Sequence, residues 1–302
     1  MSVEHHAPKF GVAVTTVGRW DEVALLLDDL AGQSQPPHEV AIVHHGDGKD
    51  DTGNPPALDV LLTRFAGVLK IGVVVSPRGV SNGRNVGAQT LGDAVDWVWF
   101  PNDTSRIDPD FFERLAAHCV PPRTVVAVQL ADREGPRNPL PEPDSPLTRR
   151  TAWGAMEPAT LFRREQYLTA GGFDAHRGSG ADSPWQSGEG PDLLLRLSEL
   201  DSFSIAWVPD IVVHAQTEFA HLPPDERRRK LRSYGRGAGN VLRTWRYPLW
   251  YKFAHLLAAA LMPLRNPAKF TPRDALALLI GRAEGLVGRP FSGADDHRAV
   301  LR

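Results

Sequence analysis

Short apolar runs alternate with longer amphipathic segments up to residue 130, and this alternation restricts the fold more than any other feature of the chain. Short apolar runs favour buried strands, and a helical apolar period favours surface helices. The pattern predicts strands over residues 10–16, 39–43, 69–75, 96–100 and 124–130, and helices over residues 21–31, 56–65, 82–90 and 109–118. Strands that alternate with helices form parallel βαβ units, so we expect a doubly wound α/β sheet.

The loops after these strands are expected at one edge of the sheet, because right-handed crossovers bring the carboxyl ends of parallel strands together. Ligands bind at that edge in open α/β sheets. The loops that can share one ligand cover residues 15–19, 44–51, 76–84 and 102–105.

The fourth predicted strand ends in a polar tip, within the sequence DWVWFPNDTSRIDPDFF of residues 96–112. The apolar run stops at Pro101, and Asn102-Asp103-Thr104-Ser105 follows. Asp108 and Pro109 suit the N-cap and first position of a helix. Oxygen ligands at such a tip can hold a hard divalent cation against a diphosphate.

The second half of the chain reads differently. Residues 132–151 are rich in Pro, Arg and acidic residues and predict a long surface loop that could close over a site. A strand over 159–162, a helix over 164–170, a flexible loop over 173–188, a helix over 192–200 and strands over 204–209 and 211–214 follow. Residues 224–302 predict a helical appendage that includes a helix over 272–287.

The composition supports a large core, since 42% of the 302 residues are hydrophobic. The net charge of −2 gives no global attraction to nucleic acid, and the single cysteine, Cys119, excludes an intrachain disulfide. The N-terminus lacks a basic region followed by an apolar one, so no signal peptide is expected. We therefore expect a cytoplasmic protein, with peripheral contact at the inner face of the membrane as an open alternative.

Six segments in order resemble the inverting family 2 glycosyltransferases of the GT-A fold, over about residues 9–215. They are AVTTVGRWDE, IVHHGDGKDDT, GVSNGRNVGAQ, FPNDTSRIDPDFF, ATLFRREQYLTAGGFD and SGEGPDLLLRL. The resemblance implies a GT-A domain over residues 1–223, with a nucleotide-binding half at about 9–131, an acceptor half at about 152–215 and the helical region 224–302 behind it. GT-A implies a Rossmann-like, mostly parallel sheet flanked by helices.

The resemblance also implies a reaction. A nucleotide-sugar donor, a UDP-sugar first and a dTDP-sugar second, would pass a hexosyl or deoxyhexosyl group to a glycan or lipid-linked acceptor by single displacement. The setting would be cell-envelope or exopolysaccharide synthesis. A Mg²⁺ or Mn²⁺ ion would hold the diphosphate.

The chain departs from the family pattern at three places. Asn102-Asp103-Thr104 stands where the family has Asp-x-Asp, so one carboxylate remains to hold a metal. Glu189-Gly190 stands where the family has adjacent Glu and Asp, so the usual base position is glycine. His44-His45 replaces two aspartates after the second strand.

Candidate residues follow from these segments. Glu189 is the predicted base, and Asp192 would orient it or bind the acceptor hydroxyl; alternatively, both only stabilise the helix dipole. Trp185 and Gly188 are predicted acceptor contacts. Alternatively, Trp185 anchors its loop by packing on the core. The predicted donor contacts are Thr15, Thr16, Arg19, His44, Arg84, Asn85, Asn102 and Asp103. The predicted metal ligands are Asp103, Thr104 and His214.

Bland alternatives stand beside these roles. In these alternatives Asp103 would be a plain turn residue, and Arg84 would form an ion pair with it. Arg19 would be an exposed turn residue, and His214 would be a structural histidine. We expect the segments that carry Asp103 and Glu189 to meet at one cleft.

The C-terminal region offers two partners. Its basic stretch 227–243 suits a solvated helix face or an anionic lipid. The neighbouring aromatics suit a homodimer, which we favour, or a membrane interface; they are Trp245, Tyr247, Trp250, Tyr251 and Phe253.

Two other functions remain open at this point. A sugar-phosphate nucleotidyltransferase uses a related sheet but needs a longer Gly-rich first loop than residues 15–19 provide. A non-catalytic nucleotide- or glycan-binding protein would explain the altered positions at 102–104 and 189–190.

Overall fold

The computed structural model describes residues 7–45, 56–217 and 222–291. Within these residues the chain forms two compact units. Unit 1 comprises the described residues within Met1–Pro77, Gly83–Gly172 and Leu193–Gln216, and unit 2 comprises those within Arg78–Asn82, Phe173–Asp192 and Thr217–Arg302. The domain boundaries expected from the sequence stay predictions, and most of the acidic loop 44–51 lies outside the described residues.

Unit 1 contains a nine-stranded mixed sheet. Its strands are β1 Phe10–Thr16, β2 Glu39–His44, β3 Ile71–Val75, β4 Trp97–Trp99, β5 Arg106–Ile107, β6 Val125–Asp132, β7 Gly135–Pro136, β8 Thr160–Arg163 and β9 Ile205–His214. Their order is β3-β2-β1-β4-β8-β6-β9-β5, with β7 beside β6. The strands β3, β2, β1 and β4 are parallel, which confirms the predicted βαβ units. β8 runs antiparallel to both of its neighbours.

Ten α-helices occur among the described residues. They are α1 Trp20–Ala31, α2 Pro56–Phe65, α3 Val80–Thr90, α4 Phe111–Ala116, α5 Arg164–Thr169, α6 Glu189–Leu197, α7 Pro224–Thr244, α8 Leu249–Ala260, α9 Met262–Arg265 and α10 Pro272–Val287. The bounds of α2 and α10 equal the predicted ones. None of the described helices is both long enough and apolar enough to cross a lipid bilayer.

The core of unit 1 lies on the faces of its sheet. β1 is almost wholly buried, which explains why its sequence is a continuous apolar run. α1 places its apolar stripe, Leu26, Leu27 and Leu30, in this core. The Trp99 and Phe111 rings lie 5.0 Å apart and join β4 to α4.

Several predicted boundaries were wrong, and three elements show the physical reason. α4 begins at Phe111 and not at Pro109, because Arg106 and Ile107 stay extended and pair with His214 and Val213 of β9. Residues 205–214 form one strand and not two, since a register shift opposite Val128 and Gln129 accommodates Pro209. α6 begins at Glu189 and not at residue 192.

Unit 2 is built around the parallel contact of α7 with α10. A side-chain carbon at Gly239 would overlap the backbone oxygen of Arg282, and one at Gly281 would overlap that of Arg232. The two backbones therefore touch, as small residues permit. Buried ion pairs flank this contact: Arg236 Nε lies 2.8 Å from Glu284 Oε2, and Arg227 Nη2 lies 2.9 Å from Asp274 Oδ2.

Candidate functional site

The carboxyl ends of three parallel strands in unit 1 form what we call the strand-end rim: Thr15, Thr16, Arg19, His44, Asn102 and Asp103. Thr16 of β1 is the Cα partner of His44 of β2, and Thr15 forms an isolated parallel bridge with Asn102. The first, second and fourth predicted strands therefore end side by side, as the crossover rule requires.

Asp103 is the fully buried carboxylate of this rim, with 0% of its side chain exposed. It accepts hydrogen bonds from Arg19 Nε at 2.9 Å, from Arg19 Nη2 at 2.5 Å and from the Thr16 hydroxyl at 2.9 Å. Burial raises the pKa of Asp103, although the Arg19 charge and the two hydrogen-bonding side chains oppose the increase. Asp103 is thus more than a plain turn residue.

Arg19 is held by the turn that follows β1. The Thr16 hydroxyl accepts hydrogen bonds from the backbone N–H groups of Gly18 and Arg19, at 3.2 and 3.1 Å. Gly18 has a φ of 96°, which glycine adopts without strain. The Arg19 side chain remains 53% exposed, so its charge is available at the rim while its fork grips Asp103.

The turn after β4 is braced by a second arginine. Arg106 Nη1 donates to the Ser105 carbonyl at 2.7 Å, and its Nη2 donates to Glu22 of α1 at 2.6 Å. The backbone N–H of Asn102 donates to the Ser105 hydroxyl at 3.1 Å. This bracing fixes Asn102 and Asp103 relative to α1.

His44 supplies a neutral ring at the end of β2. Burial lowers the pKa of His44, and the neighbouring His45 lowers it further. The Trp20 ring meets the His44 ring edge-on at a centroid distance of 6.1 Å. Within the described part of the chain, His44 Nε2 is buried without a hydrogen-bond partner.

Asn85 of α3 has a packing role in unit 1. Its Oδ1 accepts a 2.6 Å hydrogen bond from the Tyr167 hydroxyl. A side chain at Gly172, whose φ is 68°, would collide with that oxygen. Two residues earlier, Gly83 lies against the Thr15 methyl group with no room for a side chain. The neighbouring Arg84 is buried.

A second set of residues lies in unit 2, and we call it the Arg177 cluster: Asp174, Arg177, Asp192, Asn240 and Trp245. Arg177 Nη2 donates to Asn240 Oδ1 at 2.8 Å. Its Nε lies 3.4 Å from Asp174 Oδ2 and 3.7 Å from Asp192 Oδ1. The Trp245 indole donates to the same Asp192 oxygen at 3.0 Å. The Asp192 carboxylate is therefore buried, charge-paired and fixed in direction.

Glu189 is the first residue of α6 and is also buried. The sequence had suggested that Glu189 lies just ahead of this helix, whereas it lies within the first turn. A side-chain carbon at Gly178 would lie 3.1 Å from Glu189 Cδ. The glycine loop therefore packs against this carboxylate, and Glu189 and Asp192 share one helical turn.

Residues 173–188 contain a network of hydrogen bonds. The buried Gln186 side chain accepts from the Gly180 N–H at 2.9 Å and donates to the Ala181 and Ser183 carbonyls. Trp185 is half-buried, and its carbonyl accepts from the Gly178 N–H at 3.0 Å. The two predicted acceptor contacts thus flank Gln186; Gly188 itself packs against Val241 of α7.

Comparison with known proteins rests on structure alone, since no protein-family profile and no curated protein matches the sequence. TarS from S. aureus, residues 1–349 in complex with UDP-GlcNAc, aligns with a TM-score of 0.54 at 16% identity, over 93% of this chain and 92% of that one. The mannosyltransferase PcManGT from Pyrobaculum calidifontis, in complex with GDP-Man and Mn²⁺, aligns with a TM-score of 0.58 at 16% identity, over 98% and 85%.

The chain has the GT-A fold. The fold predicted from the resemblance is thereby confirmed, including the C-terminal helices. In the GT-A sheet the strand-end rim occupies the edge at which α/β folds bind ligands.

A divalent cation is compatible with the GT-A fold, because the mannosyltransferase structure contains Mn²⁺. The donor set around Asp103 does not fit one, since both carboxylate oxygens accept hydrogen bonds from the Arg19 guanidinium. His214 Nε2 lies 3.4 Å from Asp108 Oδ1, and Thr104 offers a single hydroxyl. No group of three or more His, Cys, Asp or Glu side chains suited to a metal occurs in the described ranges.

Sequence reasoning missed Arg177 and Asn240, and it placed Trp245 among surface aromatics. These residues lie far apart along the chain, so no local spacing connects them to Asp192. A usable signal was the arginine at 177 within a run of Gly and Ser residues, where a charged side chain has few local partners.

Proposed function

We propose that this chain is an inverting glycosyltransferase that moves a hexosyl or deoxyhexosyl group from a nucleotide-sugar donor to a glycan or lipid-linked acceptor. The observation that carries the proposal is the Arg19–Asp103–Thr16 arrangement at the carboxyl edge of a GT-A sheet. Structures of the same fold bind UDP-GlcNAc and GDP-Man. A UDP-sugar is our first candidate donor and a dTDP-sugar the second.

In this proposal the strand-end rim binds the donor. The half-exposed guanidinium of Arg19 faces the diphosphate, where positive charge stabilises the leaving group. Asp103 holds that guanidinium in place by two hydrogen bonds and limits its rotation. The neutral imidazole of His44 lies where a nucleobase would contact the end of β2, and Thr15 and Asn102 complete the edge. Arg84 and Asn85 contribute from α3.

We further propose that Arg19, and not a divalent cation, provides the positive charge at the diphosphate. A divalent cation bound at Asp103 would have to displace the guanidinium or tolerate its repulsion at close range. Every step assigned to the chain therefore uses its own side chains. The alternative is a Mg²⁺ or Mn²⁺ ion bound by Asp103, Thr104 and His214. A comparison of donor binding with and without EDTA decides between the two.

Glu189 is our proposed base for the acceptor hydroxyl. One oxygen of Asp192 is already engaged, because it lies 3.7 Å from Arg177 Nε and accepts the Trp245 hydrogen bond. Asp192 then orients the acceptor or the base. That Asp103 and Glu189 serve the same bound donor stays a prediction.

The test uses the full chain with a panel of UDP-, dTDP- and GDP-sugars. Donor affinity is measured by calorimetry, donor hydrolysis by release of the nucleoside diphosphate, and inversion by NMR of the product anomer. Glu189→Gln should reduce turnover by about 100-fold or more while donor affinity is kept. Glu199→Gln is the matched control, because Glu199 is exposed just beyond the same helix. No binding of any nucleotide sugar would refute the proposal.

The second candidate is a non-catalytic nucleotide- or glycan-binding protein on the same fold. Gly190, at the position of the family's base, is the observation that favours it. This reading expects donor binding without hydrolysis or transfer, and no effect of Glu189→Gln. A nucleotidyltransferase would instead release pyrophosphate from a nucleoside triphosphate and a sugar phosphate.

A further inference from the structure

α8 and α9 expose large apolar side chains that no described residue of unit 2 covers. The exposed fractions are 81% for Leu249, 69% for Trp250, 69% for Phe253 and 78% for Leu264, and Leu257 is about half exposed. Leu249, Phe253 and Leu257 follow at intervals of four residues, so they share one stripe of α8. We call these five side chains the α8 face. Such exposure on neighbouring positions indicates an interaction surface.

The opposite side of α8 is fixed to unit 2. Ala259 is fully buried, and α8 packs against α10. The Arg282 guanidinium of α10 donates to the His255 carbonyl. The helix that exposes the apolar stripe is therefore held on its opposite side by contacts with α10.

The chain segment that carries the α8 face has charges of a single sign. Residues 243–273 contain six basic side chains and no Asp or Glu, although the chain as a whole is slightly acidic. Four of the six are exposed and two are half-buried. They are Arg243, Arg246, Lys252, Arg265, Lys269 and Arg273. An amphipathic helix with apolar and aromatic residues on one face and cations around them suits an anionic lipid surface.

The same charges argue against a second copy of the chain as the occupant. A two-fold dimer through the α8 face would bring the same patch of each copy together. The cations of both copies would then approach each other, with no carboxylate in residues 243–273 to pair with them. Like charges brought together at an interface oppose association.

We propose that the α8 face is a reversible attachment site for anionic phospholipid. Leu249, Trp250, Phe253 and Leu264 enter the interface between headgroups and acyl chains, and the surrounding cations contact the headgroups. α8 lies in the plane of the membrane, because its exposed apolar side chains form a stripe along one side of the helix. This proposal is independent of the proposed transferase activity. Its test measures lipid binding alone, so either proposal can fail without the other.

The experiment is vesicle flotation of the full chain. Vesicles of phosphatidylcholine with phosphatidylglycerol should bind the protein, and vesicles of phosphatidylcholine alone should not. Raising the salt concentration should weaken binding, because the attraction to headgroups is screened. Trp250→Ser/Phe253→Ser should lower the partition coefficient at least about tenfold. Leu25→Ser/Val60→Ser is the matched control, since both side chains are exposed apolar residues of unit 1.

Three results would overturn the proposal. The first is the absence of binding to anionic vesicles by the folded protein. The second is equal binding by the Trp250→Ser/Phe253→Ser variant. The third is a dimer in sedimentation velocity, without vesicles, that this variant abolishes; that outcome would assign the α8 face to a second copy. Thermal melts should show both double variants folded, because the substituted side chains are exposed.

Discussion

The indole Nε1 of Trp245 donates a 3.0 Å hydrogen bond to Oδ1 of Asp192, and Arg177 Nε lies 3.7 Å from the same oxygen. Trp245 is the C-cap residue that directly follows α7, so the end of a long helix fixes a carboxylate in the first turn of α6. An aromatic residue that looks like a surface anchor in the sequence is part of a polar cluster in the fold.

Trp245→Phe should therefore lower turnover while leaving the fold intact. Phenylalanine keeps most of the apolar contact but cannot donate to Asp192. A hydrogen bond to a charged group contributes about 1.5–3 kcal/mol, so we expect a decrease in kcat of about tenfold or more. Trp250→Phe is the control, since Trp250 is exposed. Steady-state kinetics that are equal for the two variants would show that Asp192 needs no such orientation.

Arg19→Ala should weaken donor binding and destabilise unit 1. The substitution leaves the buried carboxylate of Asp103 with only the Thr16 hydroxyl, at a cost of about 1–3 kcal/mol in the free energy of unfolding. Arg64→Ala is a matched control, because the Arg64 side chain is also 53% exposed and also pairs with an aspartate. Urea denaturation and calorimetry measure both effects.

A double variant separates the two roles of Arg19. Arg19→Ala/Asp103→Ala should recover part of the lost stability, since no unpaired buried charge remains. It should not recover donor affinity, because the guanidinium is still missing. Recovery of affinity would contradict the placement of Arg19 at the diphosphate.

Donor binding and turnover should be the same in EDTA as in Mg²⁺ or Mn²⁺. The reason is that the oxygens of Asp103 already accept hydrogen bonds from a fixed cation. Calorimetry with each donor, with and without EDTA, gives the measurement. A strict requirement for Mn²⁺ would mean that Arg19 leaves Asp103 when the donor binds, and it would restore Asp103, Thr104 and His214 as candidate ligands.

Glu284→Gln should destabilise unit 2 and reduce its sensitivity to acid. Burial favours the neutral form of Glu284, but hydrogen bonds from Arg232, the Phe291 N–H and Arg236 outweigh it and hold the pKa below its ordinary value of 4.5. The stabilisation is therefore present above pH 4.5 and is lost as the pH falls through the lowered pKa. Removing one partner of a buried ion pair costs about 3–5 kcal/mol.

Unfolding curves from neutral to acidic pH test this expectation. The Glu284→Gln variant should start less stable and lose less stability on acidification. Some acid dependence should remain, because the pKa of Asp274 is also lowered: burial opposes the decrease, but the bonds from Thr271 and Arg227 prevail. Parallel curves for the variant and the wild type would refute the role of Glu284.

The sequence predicted those parts of the molecule that local periodicity controls. The continuous apolar run of β1 and the alternation up to residue 130 were sufficient for the parallel half of the sheet. β5 was missed because two extended residues carry no local signal and exist only through pairing with β9. Pro209 suggested a break, since a proline cannot join a regular ladder, yet a local register shift accommodates it.

The candidate site was predictable to a similar extent. Asp103 and Arg19 were found because both follow strands that end at one edge. Their direct pairing was not found, and the sequence had offered Arg84 as the partner. Whether Arg19 or Arg84 pairs with Asp103 depends on the turn that holds Arg19. In that turn the Thr16 hydroxyl accepts hydrogen bonds from the Gly18 and Arg19 N–H groups, and the sequence pattern does not show this geometry.

The contact between α7 and α10 restricts how this protein can vary in length. One extra residue inserted into α7 would turn all later positions by about 100° around the helix axis. Gly239 would leave the line of contact, and a bulkier neighbour would meet the backbone of α10. Insertions and deletions among homologous chains should therefore avoid both helices and collect in the loops on either side of α8 and α9, residues 246–248 and 266–271.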